Sequence, residues 1–105
     1  MWFTASLLFR SDHRGARNAK EPLWEEQIIL FDADDEPAAE RKAAQYGQAQ
    51  EHEYLNRDGE LVHWKFVQVE SVYQVDAPVL GDGTELFSRF LRDYEVRSLL
   101  TPFDD

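Results

Sequence analysis

The side chains best suited to chemistry in this sequence are four glutamates and three histidines. Glu25 and Glu26 follow Trp24 in the stretch "PLWEEQIILFDADDEPAAERKAAQYG". Glu51 and Glu53 flank His52 further along. A two-carboxylate site needs its acids within about 5 to 10 Å of each other. Glu25 or Glu26 with Glu51 or Glu53 is the set whose strand ends could meet that spacing. The competing account is that acids at strand ends discourage edge-to-edge aggregation, and it is the stronger one. On a regular strand neighbouring side chains alternate between faces, so Glu25 and Glu26 are not expected to enter one site together.

A serine or threonine nucleophile needs a histidine base beside it. His13 falls in a polar stretch, and His52 and His63 fall in a hairpin where their side chains point to opposite faces. They do not converge, so no catalytic residue is assigned and a non-enzymatic protein is expected. Asp32, Asp34 and Glu36 alternate as a calcium loop might, but Pro37 occupies the position where that loop requires glycine. Helix capping accounts for these acids better. "GDGTE" lacks the lysine and glycine spacing of a phosphate loop and reads as a turn. No metal ligand and no cofactor-binding residue is assigned.

Composition narrows the function classes further. The chain has 105 residues, a length that suits one domain over 1–105 with a real core. Its residues are 43% hydrophobic and 13% aromatic, which is globular composition and not that of a disordered chain. There is no cysteine, so disulfides and thiolate metal sites are excluded, and the expected compartment is the cytoplasm. The opening "MWFTASLLFR" lacks the basic start and small-residue cleavage site of a signal peptide, and none is expected. No apolar run approaches the roughly 18 residues that span a bilayer.

The net charge is −10. That field repels nucleic-acid backbones and anionic membranes, so neither is an expected partner. It favours a basic protein, although acidic charge also simply keeps a protein soluble. Most aromatics of so small a domain belong in its core. Trp24 is the exception, because it stands beside two glutamates at a strand start. Trp24, Glu25, Glu26, Glu51 and Glu53 are therefore the candidate partner-binding residues.

The elements that must position these residues follow from periodicity. Residues 2–10 alternate, with Phe3, Ala5, Leu7 and Phe9 on one face of a strand. Residues 11–21, "SDHRGARNAKE", read as a mobile loop. A second strand spans about 23–32. Its second half is apolar on both faces and is expected inside the sheet. A helix follows, with Asp34 or Asp35 as cap, Pro37 in its first turn and Gly47 as its end. Ala39, Ala43 and Tyr46 share its inner stripe.

Asn56-Arg57-Asp58-Gly59 suits a type I turn followed by glycine in the left-handed region. That turn pairs Asn56 with Glu60, Leu55 with Leu61, Tyr54 with Val62 and His52 with Trp64. The strand then continues through Tyr73 and Val75, with a bulge near Val67–Gln68 to reconcile two alternation patterns. Residues 84–92, "TELFSRFLR", read as a last strand. The tail at 93–105 is open between a short helix, an added strand and a frayed end. The expected fold is α+β in the order β-β-α-β-β-β, a single antiparallel sheet of about five strands with one helix packed on one face.

These segments together resemble a known family. "PLWEEQIILFDA", the alanine-rich helix, "HEYLNRDGELVHWKFVQVESVYQV" and "LGDGTELFSRFL" are similar to the domain-of-unknown-function family 4288 of small, mostly bacterial proteins. The likeness covers roughly residues 2–91. It rests on the Trp-Glu-Glu opening, the strand bearing Trp64, Phe66, Val69 and Tyr73, and the Asp82-Gly83-Thr84-Glu85 turn. It implies a single α+β domain and no established activity.

The resulting expectation is an uncharacterised acidic protein-interaction domain, in its most concrete form an immunity- or inhibitor-type protein for a basic partner. The alternative is a small-ligand-binding or enzymatic domain with a pocket between helix and sheet, where His52 and Tyr54 would converge. A homodimer through an edge strand or the C-terminal segment is a third expectation.

Overall fold

The computed structural model describes residues 1–14, 21–77 and 79–101. Among these, four strands and two helices follow one another as β1 (Trp2–Arg14), β2 (Trp24–Asp32), α1 (Glu36–Ala49), β3 (His52–Leu55), β4 (Leu61–Gln74) and α2 (Asp93–Leu100). The strands form one antiparallel sheet in the order β2-β1-β4-β3. The α+β class and the single antiparallel sheet are as expected. The number of strands is four, not five.

Phe3, Ala5, Leu7 and Phe9 make β1 the centre of the domain, for each is at most 2% exposed. The helix α1 packs on this face through Ala39 and Ala43, both fully buried. Small side chains let its axis lie close to the sheet, and Tyr46 meets Phe31 edge-on at 5.8 Å. Asp35 is the N-cap, its carboxylate accepting from the Ala38 amide at 2.9 Å. Asp35→Ala should therefore cost about 0.5–2 kcal/mol of stability, read by urea denaturation.

Gly47 does not end the helix, which runs on to Ala49. It continues the buried stripe of Ala39 and Ala43 at four-residue spacing, where a Cβ would overlap the ring of Phe66. Its role is close approach, not termination.

The hairpin follows its turn chemistry. Gly59 has φ of 74°, and Leu55 pairs with Leu61, Tyr54 with Val62 and His52 with Trp64. The Asn56 side-chain carbonyl accepts from the amides of Asp58 (3.0 Å) and Glu60 (2.9 Å), which locks the turn. The bulge expected near Val67–Gln68 is present at Val67. A second sits at Glu70, since Ser6 pairs with Ser71 but Leu7 with Val69. The second bulge returns Val72 to the face of Trp64 and Phe66, where it packs on the core.

Three expectations are corrected. First, β1 runs through Arg14, so residues 11–14 are strand and not loop. Their polarity misleads because two of these polar side chains have partners across the ladder: Ser11 Oγ accepts from the Leu23 amide at 2.9 Å, and Asp12 meets Lys65. The remainder of the expected loop, 15–20, lies outside the described residues. Second, β2 is an edge strand, and Ile28 and Leu30 are 49% and 38% exposed.

Third, residues 84–92 form no strand. The stretch crosses the sheet face opposite α1, where the Thr4 hydroxyl donates to the Leu86 carbonyl at 2.6 Å. Phe87 meets Tyr73 at 5.8 Å, and the Tyr73 hydroxyl donates to Glu85 at 2.8 Å. Of the expected tail, 93–100 is the helix α2. Glu95 accepts from the Arg92 amide at 3.0 Å to start it. Residues 102–105 lie outside the described residues.

Candidate functional site

The β1–β2 register decides where the opening glutamates go. Glu25 stands opposite Phe9 and Glu26 opposite Leu8. Glu25 therefore lies on the helix face and Glu26 on the other, as alternation requires. Glu26 accepts from the Ser6 hydroxyl at 2.6 Å, and Glu25 accepts from the Gln27 side-chain amide at 2.7 Å. Trp24, beside them, is 48% exposed, and the Arg10 guanidinium lies 5.7 Å from its ring centroid. This cation–π contact orients the indole without burying it.

Glu51 and Glu53 sit at the opposite edge, on and beside β3. Both approach His63, Glu51 at 3.5 Å from Nε2 and Glu53 at 3.4 Å from Nδ1. Glu51 also accepts from the Phe66 amide at 3.1 Å. Strands β1 and β4 lie between the two acidic groups. Three inter-strand steps separate them by about 14 Å. The sheet thus brings Glu51 to Glu53 and keeps both away from Glu25 and Glu26.

A third charged group, unrecognised in the sequence, bridges the middle strands. Asp12 contacts Lys65 at 3.1 Å and Arg10 at 3.4 Å. It was hidden because residues 11–14 read as loop; once Arg10 is paired with Lys65 and Asp12 with His63, the cluster follows. The hydrogen bond from Lys65 holds the Asp12 carboxyl below its ordinary value. The charges of Lys65, Arg10 and His63 add to this, and burial opposes it. A folded-state value below the unfolded one stabilises the fold above the ordinary carboxylate range, and this contribution is lost as pH falls through the lowered value. In Lys65→Met the Asp12 titration, followed by carboxyl NMR, should move up, and acid unfolding should begin at higher pH. Glu85 is likewise lowered, first by the Tyr73 hydroxyl and then by Ser88.

The pocket expected between helix and sheet is filled. Ala39 packs with Phe3 and Ala33, Ala43 packs with Ala5, Leu7 and Phe9, and Gly47 lies against Phe66. His52 and Tyr54 do not converge there; they stack on each other at 6.0 Å on an exposed strand. A cleft of about 400 Å³ does open beside the start of α1, lined by Asp32, Ala33, Asp34, Ala38, Arg41, Lys42 and Gln45. Lys42 closes part of it by donating to the Asp32 carbonyl at 2.6 Å. Among the described residues, no three His, Asp or Glu side chains are placed to hold a metal ion, and no helix is long and apolar enough to cross a membrane.

These features define a small α+β domain: a bulged four-stranded antiparallel sheet, closed on one face by a single small-residue helix. The chain belongs to the family described as Domain of unknown function (DUF4288), whose model matches residues 2–88. The match takes in all four strands and α1 and stops short of α2. No curated protein and no solved structure matches the chain.

Proposed function

We propose that the protein is a non-enzymatic interaction domain that docks a basic protein through the Trp24–Glu25–Glu26 end of β2. The observation that carries this reading is the contrast between the two acidic edges. Glu51 and Glu53 share His63, and Glu51 also accepts from the Phe66 amide, so they serve the hairpin. Glu25 and Glu26 pair with no cation among the described residues and are exposed beside a half-exposed tryptophan.

An aromatic anchor with an acidic rim suits a basic surface, and the net charge of −10 would steer such a partner in. An immunity- or inhibitor-type role against a basic enzyme is the most concrete form of this reading. The cysteine-free composition is in keeping with a cytoplasmic protein. The filled interior beneath α1 argues against the alternative of a ligand pocket there.

The test is capture from lysate at low salt, followed by reconstitution of the complex from purified components. The reading expects a one-to-one complex with a basic protein that weakens as salt rises and is lost in Glu25→Lys/Glu26→Lys. Undiminished binding by that variant would sink the proposed site. A complex indifferent to salt would remove the electrostatic basis.

A further inference from the structure

Among the described residues no strand pairs with the outer edge of β2, and that edge has features the docking reading does not use. The Ser11 amide donates to the Leu23 carbonyl, and the Ala33 amide donates to the Met1 carbonyl, each at 2.9 Å. Between these two bonds the β1–β2 register runs without a shift. In an antiparallel ladder, hydrogen-bonded and non-bonded pairs alternate. The odd-numbered residues from 23 to 33 therefore spend their backbone groups on β1. The even-numbered residues Trp24, Glu26, Ile28, Leu30 and Asp32 turn their N–H and C=O groups outward, and of these the Asp32 carbonyl already accepts from Lys42.

Nine residues is a long edge, and natural edges are usually interrupted by charged side chains, proline or a bulge. Here the charges, Glu25, Glu26 and Asp32, fall towards the two ends, and Gln27 to Phe31 carries none and no bulge. The outward residues Trp24, Ile28 and Leu30 are also 48%, 49% and 38% exposed on one face.

We infer that two copies of the chain pair antiparallel through the free edges of β2, about a two-fold axis at Ile28, to make one continuous sheet. Ile28 is the midpoint of the strand, so this register pairs all nine residues. It sets Ile28 against its own mate, Glu26 against Leu30 and Trp24 against Asp32. No carboxylate then stands directly opposite another. Centring the axis on Glu26 would place Glu26 against Glu26, and centring it on Ile29 would place Glu26 against Asp32. Those registers are penalised by like charges. Centring on Gln27 sets Asp32 against Pro22, which has no N–H to give. The two-fold symmetry closes the assembly at two copies on this edge.

The side chains of Glu25 and Glu26 still project above and below the extended sheet. Dimerisation therefore stands independently of the docking reading, and salt separates the two. Each copy carries −10, so screening must strengthen self-association, whereas it weakens binding to a basic partner.

The chain has no cysteine, so single-cysteine variants report on register directly. Opposed, hydrogen-bonded positions have Cα atoms about 5.5 Å apart, within disulfide reach. Ile28→Cys should cross-link nearly completely in a glutathione redox buffer. Trp24→Cys should not, because its copy lies eight residues along the pair, about 27 Å away. Sedimentation of the unmodified chain should show a dimer that tightens with added sodium chloride, and Ile28→Lys should be monomeric yet folded by circular dichroism. A chain that stays monomeric from micromolar to submillimolar concentration overturns the inference. So does a dimer that survives Ile28→Lys, or equal cross-linking at positions 24 and 28.

Discussion

Phe9→Ala lowers the free energy of unfolding by about 3–5 kcal/mol. Phe9 is 2% exposed at the middle of β1, and its ring lies 5.6 Å from that of Phe66 at 59°. It packs with Ala5, Leu7 and Ala43 in one cluster, against which Ile29, Phe31, Tyr46 and Trp64 rest. Removing the ring takes away its transfer free energy and leaves a cavity. A strand bonded on both sides does not collapse easily to fill it. A domain of this size has about 5–15 kcal/mol in total, so the variant should lie close to its unfolding threshold. Urea denaturation followed by tryptophan fluorescence measures the loss. A cost under about 1 kcal/mol would mean that Phe9 is not the centre of the core. Phe9 also stands opposite Glu25, so the same variant should loosen the Trp24 end of β2.

Gly47→Val should cost about 3 kcal/mol, the upper end of the overpacking range. A Cβ at Gly47 would overlap the Phe66 ring and lie 2.8 Å from its Cγ. Helix propensity works in the opposite direction, since glycine in a helix interior is worth about 1 kcal/mol less than alanine. The steric effect wins because Phe66 is held in turn by Phe9 and the rest of the cluster. The double variant with Phe66→Leu should recover part of the loss, and the coupling measures the contact. If Gly47→Val were as stable as the parent, α1 would have room to move off the sheet. The pocket beneath it would then be open to reconsideration.

How much of this was legible depended on whether the signal was local. The hairpin was read to the residue because Asn56 to Gly59 carry their own turn chemistry and the turn sets the register of the strands it joins. The cap was legible as Asp34 or Asp35 and the first bulge as near Val67–Gln68, for the same reason, and the structure selects Asp35 and Val67. Gly47 was misread as a helix end because its requirement comes from Phe66, nineteen positions on and in another element. The candidate residues were found by type, but their grouping was not. Glu51 and Glu53 meet through His63, and the cluster of Arg10, Asp12 and Lys65 exists through the β1–β4 ladder. Residues 84–92 alternate like a strand in the sequence, yet they cross the sheet beside Thr4 and Tyr73 without joining it. Their link to the sheet is a side-chain bond from Thr4 to Leu86, which alternation cannot distinguish from a ladder.

By itself the sequence determined the α+β class and the antiparallel sheet, the helix that packs on it, the hairpin register, the absence of disulfides, the acidic charge and the likeness to the family. Each rests on residue type or on contacts between near neighbours in the chain. Only the tertiary structure decided that β2 is an edge, that the two acidic groups lie at opposite sides of the sheet, and that the space beneath α1 is filled. These depend on which strand pairs with which. Strand order follows from contacts between distant residues, and the apolar pattern of "IILF" suits an edge strand with one face on the core as well as it suits a buried centre.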